Sequence, residues 1–185
     1  LARARILFAA GGADLGDQFG GAADVGDQLG QHLARLGGGG DRVDRHRADL
    51  GGGGLAAAAI ELADGTIITA GCSPLLGSSA ALILNAIKHL AGIDHNIKLL
   101  PRDMIEPIQK TKVTYLHGHN PRLHTDEVLV ALSLLSITDD KCRRALAQLP
   151  ELAGCQVHST VMLSEVDCKV FKRLGVVFTC DPIKE

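Results

Sequence analysis

Glycine distribution splits this sequence in two, and the split limits which part can build a core. Fifteen of the 22 glycines fall within residues 1–54, including the runs Gly37 to Gly40 and Gly51 to Gly54. The same stretch has no Lys, Glu, Ser, Thr, Pro, Asn, Tyr or Cys, and it repeats Gly-Asp-Gln at Gly16 and Gly26. Glycine runs carry a high backbone entropy cost and offer no side chain for packing. Three readings fit: a flexible linker, a glycine-rich phosphate loop, or a GC-rich gene translated out of frame. No G-x-x-x-x-G-K-[ST] is present, and no G-x-G-x-x-G follows a strand. The missing residue types favour the third reading. Residues 1–54 are therefore expected to be poorly structured and to carry no function, with a single α/β domain over 55–185.

That second part reads as alternating short strands and helices. An apolar run over 56–62, the turn Ala63-Asp64-Gly65 and the β-branched Thr66-Ile67-Ile68-Thr69 predict a hairpin. A very apolar helix is expected over 74–91, stopped by Gly92, and a second over 101–116, with Pro107 near its first turns or marking a restart. Thr125 is expected to cap a third helix, with Asp126 and Glu127 in its first turn and a nearly all-apolar, central body over 128–137. A shorter helix over 139–149 should end at Pro150. A strand over 156–163, a helix opened by Ser164 and closed by Gly175, and a strand over 176–180 complete a right-handed parallel crossover. The expected fold is α/β: a mixed sheet in three layers, with helices on both faces.

Charge and composition exclude several partners. A net charge of −2, no tryptophan, one tyrosine and four phenylalanines give no basic or stacking surface for nucleic acid. No apolar run reaches the roughly 20 residues needed to span a bilayer. The five cysteines, Cys72, Cys142, Cys155, Cys168 and Cys180, form no C-x-x-C and read as reduced cytoplasmic thiols.

Ile60-Glu61-Leu62, Leu75-Leu76-Gly77, Leu90-Ala91-Gly92-Ile93, Ile105-Glu106-Pro107-Ile108-Gln109, His158-Ser159-Thr160 and above all Asn120-Pro121-Arg122-Leu123-His124-Thr125-Asp126-Glu127 occur in that order. Together they resemble the C-terminal part of the bacterial family known as domain of unknown function 1846. The resemblance runs over about residues 56–181. It implies a fragment lacking a large N-terminal region, a topology similar to the cytidine-deaminase class, and a nucleotide as the expected cofactor of the full-length family, none being indicated in this fragment. Fold does not fix function, and the deaminase signature H-x-E with P-C-x-x-C is missing. Two departures stand out. Thr69-Ala70-Gly71-Cys72-Ser73 replaces the family's Thr-Gly-Lys-Thr-Ser, and Leu116-His117 replaces its Leu-Gly.

The polar constellation Asn120, Arg122, His124, Thr125, Asp126 and Glu127 joins a loop to a helix start. Backbone N–H groups and the Arg122 fork would suit an anion there, with His124 as acid or base. Equally, Thr125 caps, the two acids offset the helix dipole and Arg122 pairs with a carboxylate. His158 and Thr160 share one face of their strand and Ser159 takes the other. A pocket shared with His124 requires His158 to face it. A zinc site from His117, His119 and His124 lacks an identifiable second-shell carboxylate, so no metal is assigned. Ser73 lacks a G-x-S-x-G elbow.

Two functions follow. One is an enzyme subdomain with catalytic His124 and His158, in which Asn120, Arg122, Thr125, Asp126, Ser159, Thr160 and Ser73 hold an anionic or phosphorylated small molecule. The other is a non-catalytic module whose apolar helices pack on a missing N-terminal region or on another subunit as a homo-oligomer.

Overall fold

The computed structural model describes residues 6–7 and 56–181. Apart from Ile6 and Leu7, the expectation for residues 1–54 lies outside them. The strands are β1 (Ile6–Leu7), β2 (Ala57–Glu61), β3 (Ile67–Gly71), β4 (Gln156–Ser159) and β5 (Val177–Cys180). The helices are α1 (Ser78–Leu90), α2 (Arg102–Lys110), α3 (Thr125–Leu135), α4 (Asp140–Leu146) and α5 (Glu165–Arg173). The sheet order is β1-β3-β2-β4-β5.

The hairpin forms as its turn chemistry requires. Gly65 takes a φ of 81°, the Asp64 carboxylate accepts the Thr66 N–H at 2.9 Å, and β2 and β3 pair antiparallel from Ala57↔Gly71 to Glu61↔Ile67. Strand β4 adds antiparallel to the other edge of β2. β5 pairs parallel with β4, as the strand–helix–strand pattern predicts. Within the glycine-rich segment, β1 pairs parallel with Ile67 and Ile68 of β3, a strand the sequence did not indicate.

Alternation divides the sheet faces. Ala58, Ile60, Ile68, Ala70 and Val157 join residues of α1 to α5, including Ile83, Ile105, Leu132, Cys142 and Phe171, in one core. Ala57, Ala59 and Ile67 cluster on the opposite face, and none of the described helices contributes to that cluster. The fold is mixed α/β, and the expected helices are found on one face among the described residues. Each of α1 to α5 anchors in the larger core through at least one side chain no more than 2% exposed, Ile105 being the one in α2.

Several boundaries differ from expectation, each for a long-range reason. α1 begins at Ser78 rather than near Pro74, because Leu76 bridges Leu123 in parallel and the Ser73 hydroxyl accepts the N–H groups of Leu75 and Leu76. Its far end is the predicted glycine stop: Gly92 has φ 64°, and the Ile93 N–H returns to the Lys88 carbonyl at 3.1 Å. α2 gives way to a π-helical turn over Thr111–Tyr115. β4 ends at Ser159, where the Thr160 hydroxyl takes the Ala57 N–H at 2.9 Å while the Thr160 N–H donates to the Ala57 carbonyl. α3 is apolar as expected but not central: Val128, Ala131 and Leu132 are buried, whereas Val130, Leu134 and, just past its end, Ile137 are exposed. No described helix is long and apolar enough to cross a membrane.

Candidate functional site

Three helix starts meet at one cleft of about 170 Å³, lined by Gly77, Ser78 and Ser79 of the α1 start, Asn120 and His124 before α3, the segment 161–163, and Ser164 and Asp167 at the α5 start. The strand-like lashing of residues 75–77 to Leu123 brings α1 and α3 together: the Gly77 N–H donates to the Leu123 carbonyl (3.1 Å) and the Leu123 N–H to the Leu75 carbonyl (2.9 Å). The bend after β4 then delivers α5 to the same place.

His124, not Thr125, is the N-cap residue of α3. Glu127 reaches back to accept the His124 N–H at 2.8 Å. The same carboxylate pairs with Lys112 at 2.8 Å, and Lys112 also donates to the Arg122 carbonyl at 2.7 Å. Thr125 is displaced from the capping role because Asp167 claims it. The fully buried Thr125 donates both its N–H (3.1 Å) and its hydroxyl (2.8 Å) to Asp167 Oδ1. Asp167 also accepts from the Ser164 hydroxyl at 2.7 Å, and Ser164 caps α5 by accepting the Asp167 N–H. His124 Nδ1 lies 3.6 Å from Asp167 Oδ2 and 3.4 Å from Ser164 Oγ.

Electrostatics follow from that packing. The Asp167 hydrogen bond raises the His124 pKa above its ordinary 6.5, against the opposing effects of burial and the Lys112 charge. Burial pushes the Asp167 carboxyl up, but hydrogen bonds from His124, Ser164 and Thr125 together outweigh it and hold it below 3.8. Each shift favours the charged form of its group, imidazolium on His124 and carboxylate on Asp167.

The other sequence candidates scatter. Asn120 lines the cleft and accepts the Arg122 N–H in an Asx turn. Arg122 itself is not part of the lining. Asp126 is exposed and accepts its neighbour's N–H. Ser159 is fully buried on the helix side, accepting the Val161 N–H, and Thr160 is spent on Ala57. Ser73 organises the turn before α1. His158 pairs with Ala59 across the sheet, on the face opposite Val157 and Ser159. Its Nδ1 meets Thr179 Oγ1 at 2.9 Å. The condition for a pocket shared by His124 and His158 is not met, because one residue of register sends the His158 ring away from α3. Among the described residues no group of three His, Cys, Asp or Glu is arranged to hold a metal, so His117 and His119 do not assemble with His124. Ser78 and Ser79 carry no site signal in the sequence. The only sequence signal for Asp167 is the Ser-x-x-Asp spacing from Ser164, which also describes an ordinary helix start.

A family model described as domain of unknown function DUF1846, C-terminal, matches residues 41–185. The UPF0371 protein of Corynebacterium aurimucosum is 58% identical over 127 residues, covering 69% of this chain and 26% of that protein. The UPF0371 protein of Corynebacterium diphtheriae is 55% identical over 128 residues, with the same coverage of 69% and 26%. That of Streptococcus pyogenes serotype M5 is 44% identical over 127 residues, again 69% and 26%. The chain spans about a quarter of the length of these curated relatives.

Proposed function

Because this chain belongs to the bacterial domain of unknown function 1846 family, to whose C-terminal domain it corresponds, we propose that it supplies an anion-binding cleft to an enzyme, with His124 as the charged donor that meets the ligand. The carrying observation is the His124–Asp167 couple at a cleft where three helix starts converge. Helix starts present N–H groups and positive potential to an anion. Asp167 takes up the Thr125 N–H of one of these starts and, beside Nδ1, favours the protonated form of the His124 imidazole. The second ring nitrogen is then a donor, and a proton source for a leaving oxygen. Phosphorylated metabolites and nucleotides are the ligand classes that fit this charge. In the full-length family other regions would contribute the rest of the site. A third layer over the Ala57–Ala59–Ile67 face, and with it a deaminase-like topology, belongs to this proposal as fold alone; no deamination is inferred, given the missing signature.

Thermal unfolding of the 185-residue chain tests the reading. Inorganic phosphate, nucleotides and sugar phosphates should raise Tm and the parent sugars should not, with His124→Gln removing most of the gain. Saturation at a hundred times Kd corresponds to about 2.7 kcal/mol. Equal shifts in His124→Gln, or none with any anion, would contradict it.

A second reading, an assembly module, is favoured by one observation. Val130, Leu134 and Ile137 recur at helical spacing on the outer side of α3 and just past its end, and all are exposed, as are Val113, Tyr115 and Leu116 nearby in sequence to the Lys112 bridge. Light scattering of the chain and of Leu134→Glu decides it: a homo-oligomer that the variant splits supports assembly, and a monomer in both removes the homo-oligomeric form.

A further inference from the structure

The α1 start is the part of the cleft whose hydrogen-bonding capacity the protein leaves unused. Its first intrahelical bond runs from the Ala81 N–H to the Gly77 carbonyl, so the N–H groups of Ser78, Ser79 and Ala80 precede the ladder. Gly77 has no side chain to cap them, in contrast to Ser164 at α5 and to the α3 start, where Asp167 takes the Thr125 N–H. The Ser78 and Ser79 side chains belong to residues only 5% and 3% exposed. Neither hydroxyl has a hydrogen-bond partner among the described residues. No buried described side-chain polar atom is closed off from both partner and solvent, and both serines line the cleft. The two hydroxyls therefore open onto it. Two hydroxyls on such enclosed residues, open to the cleft and unused by the described protein groups, are free to serve a ligand or ordered solvent.

We propose that the α1 start, with the hydroxyls of Ser78 and Ser79, is a subsite for the terminal phosphate of a phosphate monoester. This rests on the anionic reading of the cleft and moves its anchor from the α3 start, where the sequence suggested it, to α1. Backbone N–H groups of one helical turn and two hydroxyls offer donors to several oxygens of a tetrahedral dianion, more than a planar carboxylate engages. His124 stands across the cleft as a further cationic donor. The Asp167 charge is offset by donors from Thr125 and Ser164 and by His124 when its ring is protonated. The segment Val161 to Leu163, with its half-exposed Met162, offers an apolar shoulder to the organic part of the ester.

Two variants of the full 185-residue chain test the subsite by calorimetric titration with inorganic phosphate and with malonate. Gly77→Asp places a capping carboxylate on the same N–H groups; the backbone at Gly77 (φ −66°, ψ 157°) accepts any residue, and an added Cβ meets only the Leu123 carbonyl oxygen at 3.6 Å. The double variant Ser78→Ala/Ser79→Ala removes the hydroxyls with alanine, a stronger helix former. Both should bind phosphate at least about tenfold more weakly while the unliganded Tm holds or rises. Malonate should lose less in the double variant. Phosphate affinity within about twofold of the parent in both variants would overturn the subsite and leave the His124 cleft standing. No phosphate binding to the parent chain would overturn both.

Discussion

At the residue scale, Asp167 is the side chain on which the cleft depends. A single buried carboxylate joins α5 to the start of α3 through two donors from Thr125, and holds Ser164 and His124 around it. Asp167→Asn turns an amide donor toward groups that are themselves donors. It should cost about 2–3 kcal/mol, read as a lower midpoint in urea. The pH dependence follows with sign. His124 is raised above 6.5 in the fold, so its contribution is fully present below about pH 6.5 and disappears as pH rises through the folded value. Asp167 is lowered, so its contribution exists above about pH 3.8 and is lost as pH falls through its folded value. The alkaline-side loss should vanish in Asp167→Asn. His117 carries a smaller test. Its φ of 55° lies in the left-handed region, where the family resemblance has glycine. His117→Gly relieves that strain at the expense of a more flexible unfolded chain, a net gain of about 0.5–1 kcal/mol in thermal unfolding.

At the element scale, the π-helical turn and the loop before α3 behave as one unit. Lys112 joins them by donating to the Arg122 carbonyl and to Glu127, which also closes the His124 end of α3. Lys112→Met should lower stability by about 1–2 kcal/mol, and should raise the His124 pKa further, since a nearby positive charge that opposes its protonation is gone. NMR titration of the ring reads the second effect independently of the first. Local chemistry made the hairpin legible, because Asp64-Gly65 and four β-branched or turn residues act within a few positions. It also made the ends of α1 and α5 legible through Gly92 and Gly175. It could not place the first turn of α1, where Leu76 pairs with a residue far along the chain, or the cap of α3, where Thr125 answers to Asp167, 42 residues away.

At the scale of the whole molecule, the sheet sorts chemistry by face. The helices gather over Ala58, Ile60 and Val157, and their starts open at the cleft; His158 goes to the other face with Ala57 and Ala59. Only a small part of the cleft lining was therefore readable. Asn120 and His124 lie in one contiguous string, whereas Ser78 and Asp167 arrive from separate helices whose meeting is decided only by how the elements stack. The most direct test of the account is the pH titration of the His124 ring by NMR in the 185-residue chain, with and without inorganic phosphate. A midpoint above 6.5 that rises again with phosphate is the predicted result. A midpoint at or below that value, unmoved by saturating phosphate, would contradict it.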